Sequence, residues 1–267
     1  MPLADYSVTF NGLTIGAGTN FVINNIEGLG GTSPLRIQDD NRGYLDGSYT
    51  GRDFYDERTV YIDVTVLGSG STTAQANYVL LQEAFAPQPI GYYPDPTGYS
   101  STGTNELKLF QYRLNANTGD KNMYGRSRGL LTPINPNFTY GYIETRIQMT
   151  FPDPRYYDAM QNTSLASVVG VSNTGWATSC PRIFISTPSA TGYVTDGTTF
   201  MRFTNASGAG DMVIDLLQRV VYLGGIPTRN ILTAASNGWL DVAPNTSSVT
   251  WTSTIGNMVV YYQNAYV

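Results

Sequence analysis

The stretch Gly28–Leu67 reads GLGGTSPLRIQDDNRGYLDGSYTGRDFYDERTVYIDVTVL, and its last third decides the fold. Val60, Ile62, Val64 and Val66 alternate with Tyr61, Asp63 and Thr65. A period of two places the four branched side chains on one face, so the segment is a half-buried strand. The residues before it, Asp39 to Arg58, carry nine charged side chains interrupted by Gly43, Gly47 and Gly51. Those charges put the segment outside the core. Yet it also holds Tyr44, Leu45, Tyr49, Phe54 and Tyr55, an apolar surface that needs a cover. Two readings stand: an ordinary long surface hairpin, or an arm that packs against another subunit. In the second, Tyr44, Phe54 and Tyr55 are the interface anchors, with Arg42 and Arg52 beside them, because buried aromatics and arginines dominate interfaces.

The rest of the composition points the same way. The 267 residues suffice for one large or two ordinary domains. Only 13% are charged, while 28 Gly, 14 Pro and 20 Tyr indicate a mainly β chain with many turns. A net charge of −5 without a Lys/Arg cluster argues against a nucleic-acid-binding module. The single Cys180 supports no disulfide framework. The N-terminus does not read as a signal peptide, and no apolar run reaches membrane-spanning length.

Working outward, Tyr6–Leu13 and Phe21–Ile26 read as opening strands joined by a turn at Gly16 and Gly18. One helix is predicted at Thr73–Ala86. Thr72 and Gln75 form a capping-box pattern, and Ala74, Tyr78, Leu81 and Phe85 share a face that must lie on a sheet. Leu80 lies off that stripe and suggests a second contact. Pro87 and Pro89 end the helix. Leu107–Leu114 and Tyr140–Phe151 read as strands, with a connection through Gly125, Arg126 and Arg128 between them. The double proline of FPDPRYYD, Phe151–Asp158, breaks the repeating structure. The boundary is placed there, giving domains 1–154 and 155–267. The second half shows strand after strand about every ten residues, the signature of a β-sandwich.

Chemistry is conspicuous by what it lacks. Without histidine there is no Ser-His-Asp or Cys-His nucleophile system, and almost no route to a catalytic zinc. No phosphate-binding glycine motif occurs. Asp39, Asp40, Asp46, Asp53, Asp56 and Glu57 are a calcium-ligand set or, preferably, an acidic face. No catalytic residue, cofactor site or metal site is assigned.

The Arg-Ile pair Arg36-Ile37, the acidic patch, Asp46-Gly47 with its aromatic loop, and Arg58 before the alternating strand resemble the N-terminal domain of siphophage distal tail proteins. In the second half, the order of Asn173-x-Gly175, Pro181-x-Ile-x-Ile, Met212-Val-Ile-Asp215, Arg219-Val-Val, Trp239-Leu240, Pro244-Asn245 and Val259-Val-Tyr-Tyr is also similar to that family. The family commonly has Gly after the proline, where this chain has Asn245. The resemblance implies an N-terminal tail-tube-like β-sandwich with one α-helix and a C-terminal galectin-like β-sandwich. It implies a non-enzymatic ring, a homohexamer, in the virion at the phage tail tip. Its partners would be further copies of itself, the tail tube protein, a tail-tip hub or tail-associated protein, and a receptor-binding protein. DNA would pass through the ring, so an acidic or neutral lining is expected, and Asp63, Glu144, Asp39 and Asp40 are the candidates. The alternative is a carbohydrate-binding module or adhesin using Trp176, Trp239 or Trp251, of which Trp251 reads as core.

Overall fold

A computed structural model of the protein describes residues 3–31, 35–37, 39–41, 48–50, 54–87, 107–133, 136–204, 206, 210–217, 219–228 and 231–267. The chain divides into two compact units. The first comprises the described residues up to Pro87 together with Leu107–Arg155, and the second comprises Tyr156–Tyr266.

In the first unit, β1 (Ser7–Phe10) and β2 (Leu13–Gly16) form a hairpin. Its turn is Asn11-Gly12, both at positive φ, the pair that suits a two-residue hairpin. Tyr6–Leu13 is therefore two strands rather than the single strand its apolar residues suggested. β3 (Phe21–Glu27) follows. Then come the short strands β4 (Leu35–Arg36), β5 (Asp39–Asn41), β6 (Ser48–Thr50) and β7 (Phe54–Tyr55), and β8 (Arg58–Leu67). After the helix α1 (Ser71–Phe85) come β9 (Lys108–Arg113), β10 (Lys121–Leu131), a 3₁₀ turn at Pro136–Tyr140, and β11 (Tyr142–Phe151). The strands run in the order β2-β1-β9-β10-β11-β8-β3.

β10 is the largest departure from the sequence reading, which made this segment a connection. Lys121–Gly125 pairs with β9, Arg126–Leu131 pairs with β11, and a bulge separates Ser127 from Gly129. A strand that changes sheets makes the corner of a sandwich, and the bend destroys any simple alternation. Gly125 stands at this corner because a Cβ there would come within 2.4 Å of the Phe151 ring.

The four alternating side chains of β8 are buried as expected. They face a core with Ile147 and Met149 of β11, Phe110 of β9, and Leu81 and Phe85 of α1. Phe85 stacks on Phe10 at 5.1 Å between ring centroids. The capping box does not form: the helix starts at Ser71 after an extended Gly70, which leaves Thr72 inside the first turn. Asn77 instead fastens the helix to the end of β8 by donating to the Leu67 carbonyl at 2.7 Å. Tyr78 is only partly buried, and Val79 and Leu80 are exposed.

The second unit starts with β12 (Tyr156–Tyr157), β13 (Gln161–Asn162), β14 (Val168–Asn173), β15 (Arg182–Ile185), β16 (Thr191–Thr195) and β17 (Phe200–Thr204). It continues with β18 (Met212–Asp215), β19 (Val220–Leu223), β20 (Ile226–Pro227), β21 (Thr246–Ser253), β22 (Met258–Tyr262) and β23 (Ala265–Tyr266). A six-stranded sheet, β13-β22-β15-β18-β19-β20, and a four-stranded sheet, β14-β21-β16-β17, make up this β-sandwich. Its core holds Trp251, Phe203, Ile183, Met201 and Met258, with Cys180 packed at the margin. Asn173 is the buried polar pin. Its amide donates to the carbonyls of Ala177, Val242 and Ala243, and its oxygen accepts from the backbone N–H of Gly175 and of Ala265.

Candidate assembly site

Among its described residues, the stretch that opened the sequence reading forms a ribbon of two short, separate two-stranded ladders. β4 pairs with β7 (Leu35 opposite Tyr55, Arg36 opposite Phe54), and β5 pairs with β6 (Asp39 opposite Thr50, Asp40 opposite Tyr49). An isolated two-stranded ribbon is marginal in water and needs packing for stability. Leu35, Ile37 and Tyr55 are 51%, 66% and 55% exposed. Directly opposed residues share a face, so Leu35 and Tyr55 lie together, and exposed Ile37 follows directly after β4. Phe54 is placed by its backbone alone, opposite Arg36. Of the other proposed interface residues, Arg42, Tyr44 and Arg52 lie outside the described residues.

Arg58, grouped by sequence with the solvated charges of this stretch, is instead 2% exposed. Its guanidinium donates to the carbonyls of Gly28, Leu29 and Gly31 at 3.0, 3.1 and 3.0 Å, and to that of Pro154 at 3.1 Å. The planar five-donor fork of arginine suits this task, whereas a lysine ammonium would not span it. One side chain thus ties the chain leaving β3 and the segment after β11 to the start of β8. Asp153 accepts from Arg155 at 2.8 Å in the same segment, the stretch where the sequence reading placed the domain boundary.

The outer face of β3, β8 and β11 carries the other candidates. Arg146 stands opposite Asp63 in register. It grips that carboxylate with two bonds, of 2.7 and 3.1 Å, and reaches Glu27 at 3.1 Å. The hydrogen bond to Asp63, first, holds the Arg146 pKa above its ordinary value against the opposing effect of burial. The partner of Arg146 is therefore Asp63, across the strands, rather than Glu144 on its own strand. Glu144 is exposed two residues away on the same face. Asp39 and Asp40 are placed by their backbone in β5 alone. Among the described residues no cluster of three metal-ligating side chains occurs.

In the second unit, Trp251 is fully buried, and Trp239 lies beneath the Arg219 guanidinium, which also pairs with Asp241 at 2.7 Å. Trp176 is 60% exposed and is held edge-on by Tyr266 at 4.8 Å and Tyr156 at 6.4 Å. Sequence reasoning missed the roles of Arg58, Tyr156 and Tyr266. Only spatial neighbours 20 to 110 positions away reveal them.

No protein-family model matches the chain, and no curated protein matches it. Solved structures do. The SPP1 Dit protein (gp 19.1), a paradigm of the hub adsorption apparatus in phages infecting Gram-positive bacteria, matches with a TM-score of 0.63 at 15% identity. The match covers 99% of this chain and 100% of that one. The fold is that of a phage Dit hub protein. A chain of the phage P2 baseplate in its activated conformation with Ca shares the Dit-like fold, with a TM-score of 0.55 at 7% identity over 98% of each chain. The mainly β architecture, with β-sandwich domains and one α-helix among the described residues, is the Dit-like fold expected from the sequence.

Proposed function

We propose that the chain is a structural component of a long-tailed phage tail tip. It forms a ring, a homohexamer, that joins the tail tube to the baseplate or adhesion apparatus and lets DNA pass. The ring's neighbours would be the tail tube protein, a tail-tip hub or tail-associated protein, and a receptor-binding protein. The observation that carries this reading is the ribbon from Leu35 to Tyr55, with an uncovered apolar face, on a unit whose fold is shared with phage hub and baseplate proteins. A ring closed by rotation supplies each copy's ribbon with a partner. The test is native mass measurement of the intact chain and of a variant lacking Tyr44–Phe54. The intact chain assembles and the deletion variant stays a folded monomer; a deletion variant that assembles normally removes the arm from the interface.

The same reading puts Asp63 and Glu144, with Asp39 and Asp40, along the channel. On the outer face of β3, β8 and β11 the charged groups are Glu27, Asp63 and Glu144 against Arg146, a net of two negative charges. Such a face does not bind phosphates as a basic wall would. A structure of the ring with Asp63 and Glu144 on its outside would overturn this assignment.

Exposed Trp176 favours a second reading, a glycan-binding sandwich. A glycan array with the intact chain and Trp176→Ala separates the two, since binding lost in the variant is expected only of the second. The second unit is also inferred to fold alone. A fragment beginning at Arg155, which keeps β12 against β23, should unfold cooperatively.

A further inference from the structure

Two of the uncharged surfaces among the described residues of the first unit matter for assembly. The first is the exposed apolar set of the ribbon, the pair Leu35 and Tyr55 with Ile37 next in the chain. The second is a groove of about 390 Å³ between α1, the 3₁₀ turn and the start of β11. Tyr78, Phe138, Tyr142 and Ile143 form its apolar walls, and Phe138 and Tyr142 keep 39% and 49% of their surface exposed. The polar groups at its base are already satisfied: the Tyr78 hydroxyl bonds Thr132 at 2.7 Å, and Thr132 bonds Thr145 at 2.9 Å. An occupant therefore has to bring apolar surface rather than charge, because a charge would be desolvated there without a partner. Gln75, exposed at the rim, offers its amide to a phenol.

We propose that the exposed Leu35, Ile37 and Tyr55 of one copy seat in the α1–β11 groove of the next copy. Both surfaces lie in the same unit, and each stays exposed in the single chain, so the ribbon does not fill its own groove. Every copy supplies one ribbon and one groove, so a head-to-tail contact leaves neither uncovered once a ring closes. The apolar character of both sides matches the depletion of charge at interface centres. The proposal rests on the ring reading and adds to it the acceptor site, which no part of the sequence pattern marks.

The test uses the full chain with Cys180→Ser. Tyr55→Cys combined with Phe138→Cys should give a ladder of disulfide-linked oligomers on mild oxidation. Tyr55→Cys combined with Val22→Cys, on the outer face of β3, should not, and neither should any single variant. Gln75→Lys, an exposed change that leaves the core untouched, places a charge at the rim and should weaken assembly about tenfold or more. Rings by native mass that cross-link through Val22, or that tolerate Gln75→Lys, overturn the groove while leaving the ring reading intact. A chain that remains monomeric at every concentration overturns both.

Discussion

Among the described residues each unit buries one arginine, and the two are satisfied differently. Arg182 faces the carboxylate of Asp215, its register partner on the neighbouring strand, and the two form a buried ion pair. Arg58 spends its donors on four backbone carbonyls from segments that otherwise have no regular structure. The first arrangement belongs to a sheet that hydrogen bonds and apolar contacts already define. The second defines its own surroundings, since Gly28–Gly31 and Pro154 are held where they are through this side chain. A buried charge in a core is thus a local matter, whereas one among loops sets the path of the chain.

The largest effect should come from the second unit. Asp215→Ala strands the Arg182 guanidinium, at a cost of about 3–5 kcal/mol in urea unfolding. Arg182→Met together with Asp215→Leu should recover most of that. A double variant as unstable as the single one would show that the pair supplies more than mutual neutralisation. Arg58→Ala comes next, at about 2–3 kcal/mol, because the partly buried carbonyls among its four acceptors recover water. Its distinguishing sign is faster amide exchange at Gly28–Gly31 together with Asp153 and Arg155, the residues that flank Pro154. Exchange that rises uniformly over the unit would break the contrast with Arg182.

A third prediction extends the comparison to a charge held by neutral donors. Asp158 accepts from the Tyr266 hydroxyl at 2.8 Å and from Asn264 at 3.1 Å. Burial first, and this hydrogen bond second, push the Tyr266 pKa up to about 12 from an ordinary 10. The raised folded value means the contribution is complete below pH 10 and is lost as pH rises through about 12. Phenolate absorbance should therefore show a late-titrating tyrosine that Tyr266→Phe abolishes. Asp158→Asn should lower its pKa but leave it above 10, since burial remains. The smallest effect is expected of Arg146→Ala, on the surface, where solvent screening keeps ion pairs weak. Its thermal midpoint should match that of the parent, and a clear drop would mark the outer face of β8 and β11 as structural.

Legibility followed physical locality. The alternation of Val60–Val66 and the helical face of Leu81 and Phe85 were readable because burial repeats along the chain. β10 was not readable, because it turns from one sheet to the other at Gly125 and bulges at Ser127. Arg58 was misplaced because a charge in a charged stretch reads as solvated, and its acceptors are carbonyls, which carry no signature in side-chain sequence. The polar face of Asp63 was evident, yet its bond to Arg146 depends on the register of β8 with β11, which only the folded pair fixes. The groove joins Tyr78 of the helix to Phe138 and Tyr142 beyond β10, so nothing local announces it.

The corner strand has a mechanical consequence. Because β10 belongs to both sheets, the first unit is one uninterrupted ladder from β2 to β3. Two separate sheets resist sliding past each other only through side-chain contact across their interface. Here a pull on the β3 edge is passed sideways through backbone hydrogen bonds, strand by strand, to β2. Many such bonds share the tension before any one of them can part. The strands of this ladder should therefore respond to load as one stiff element.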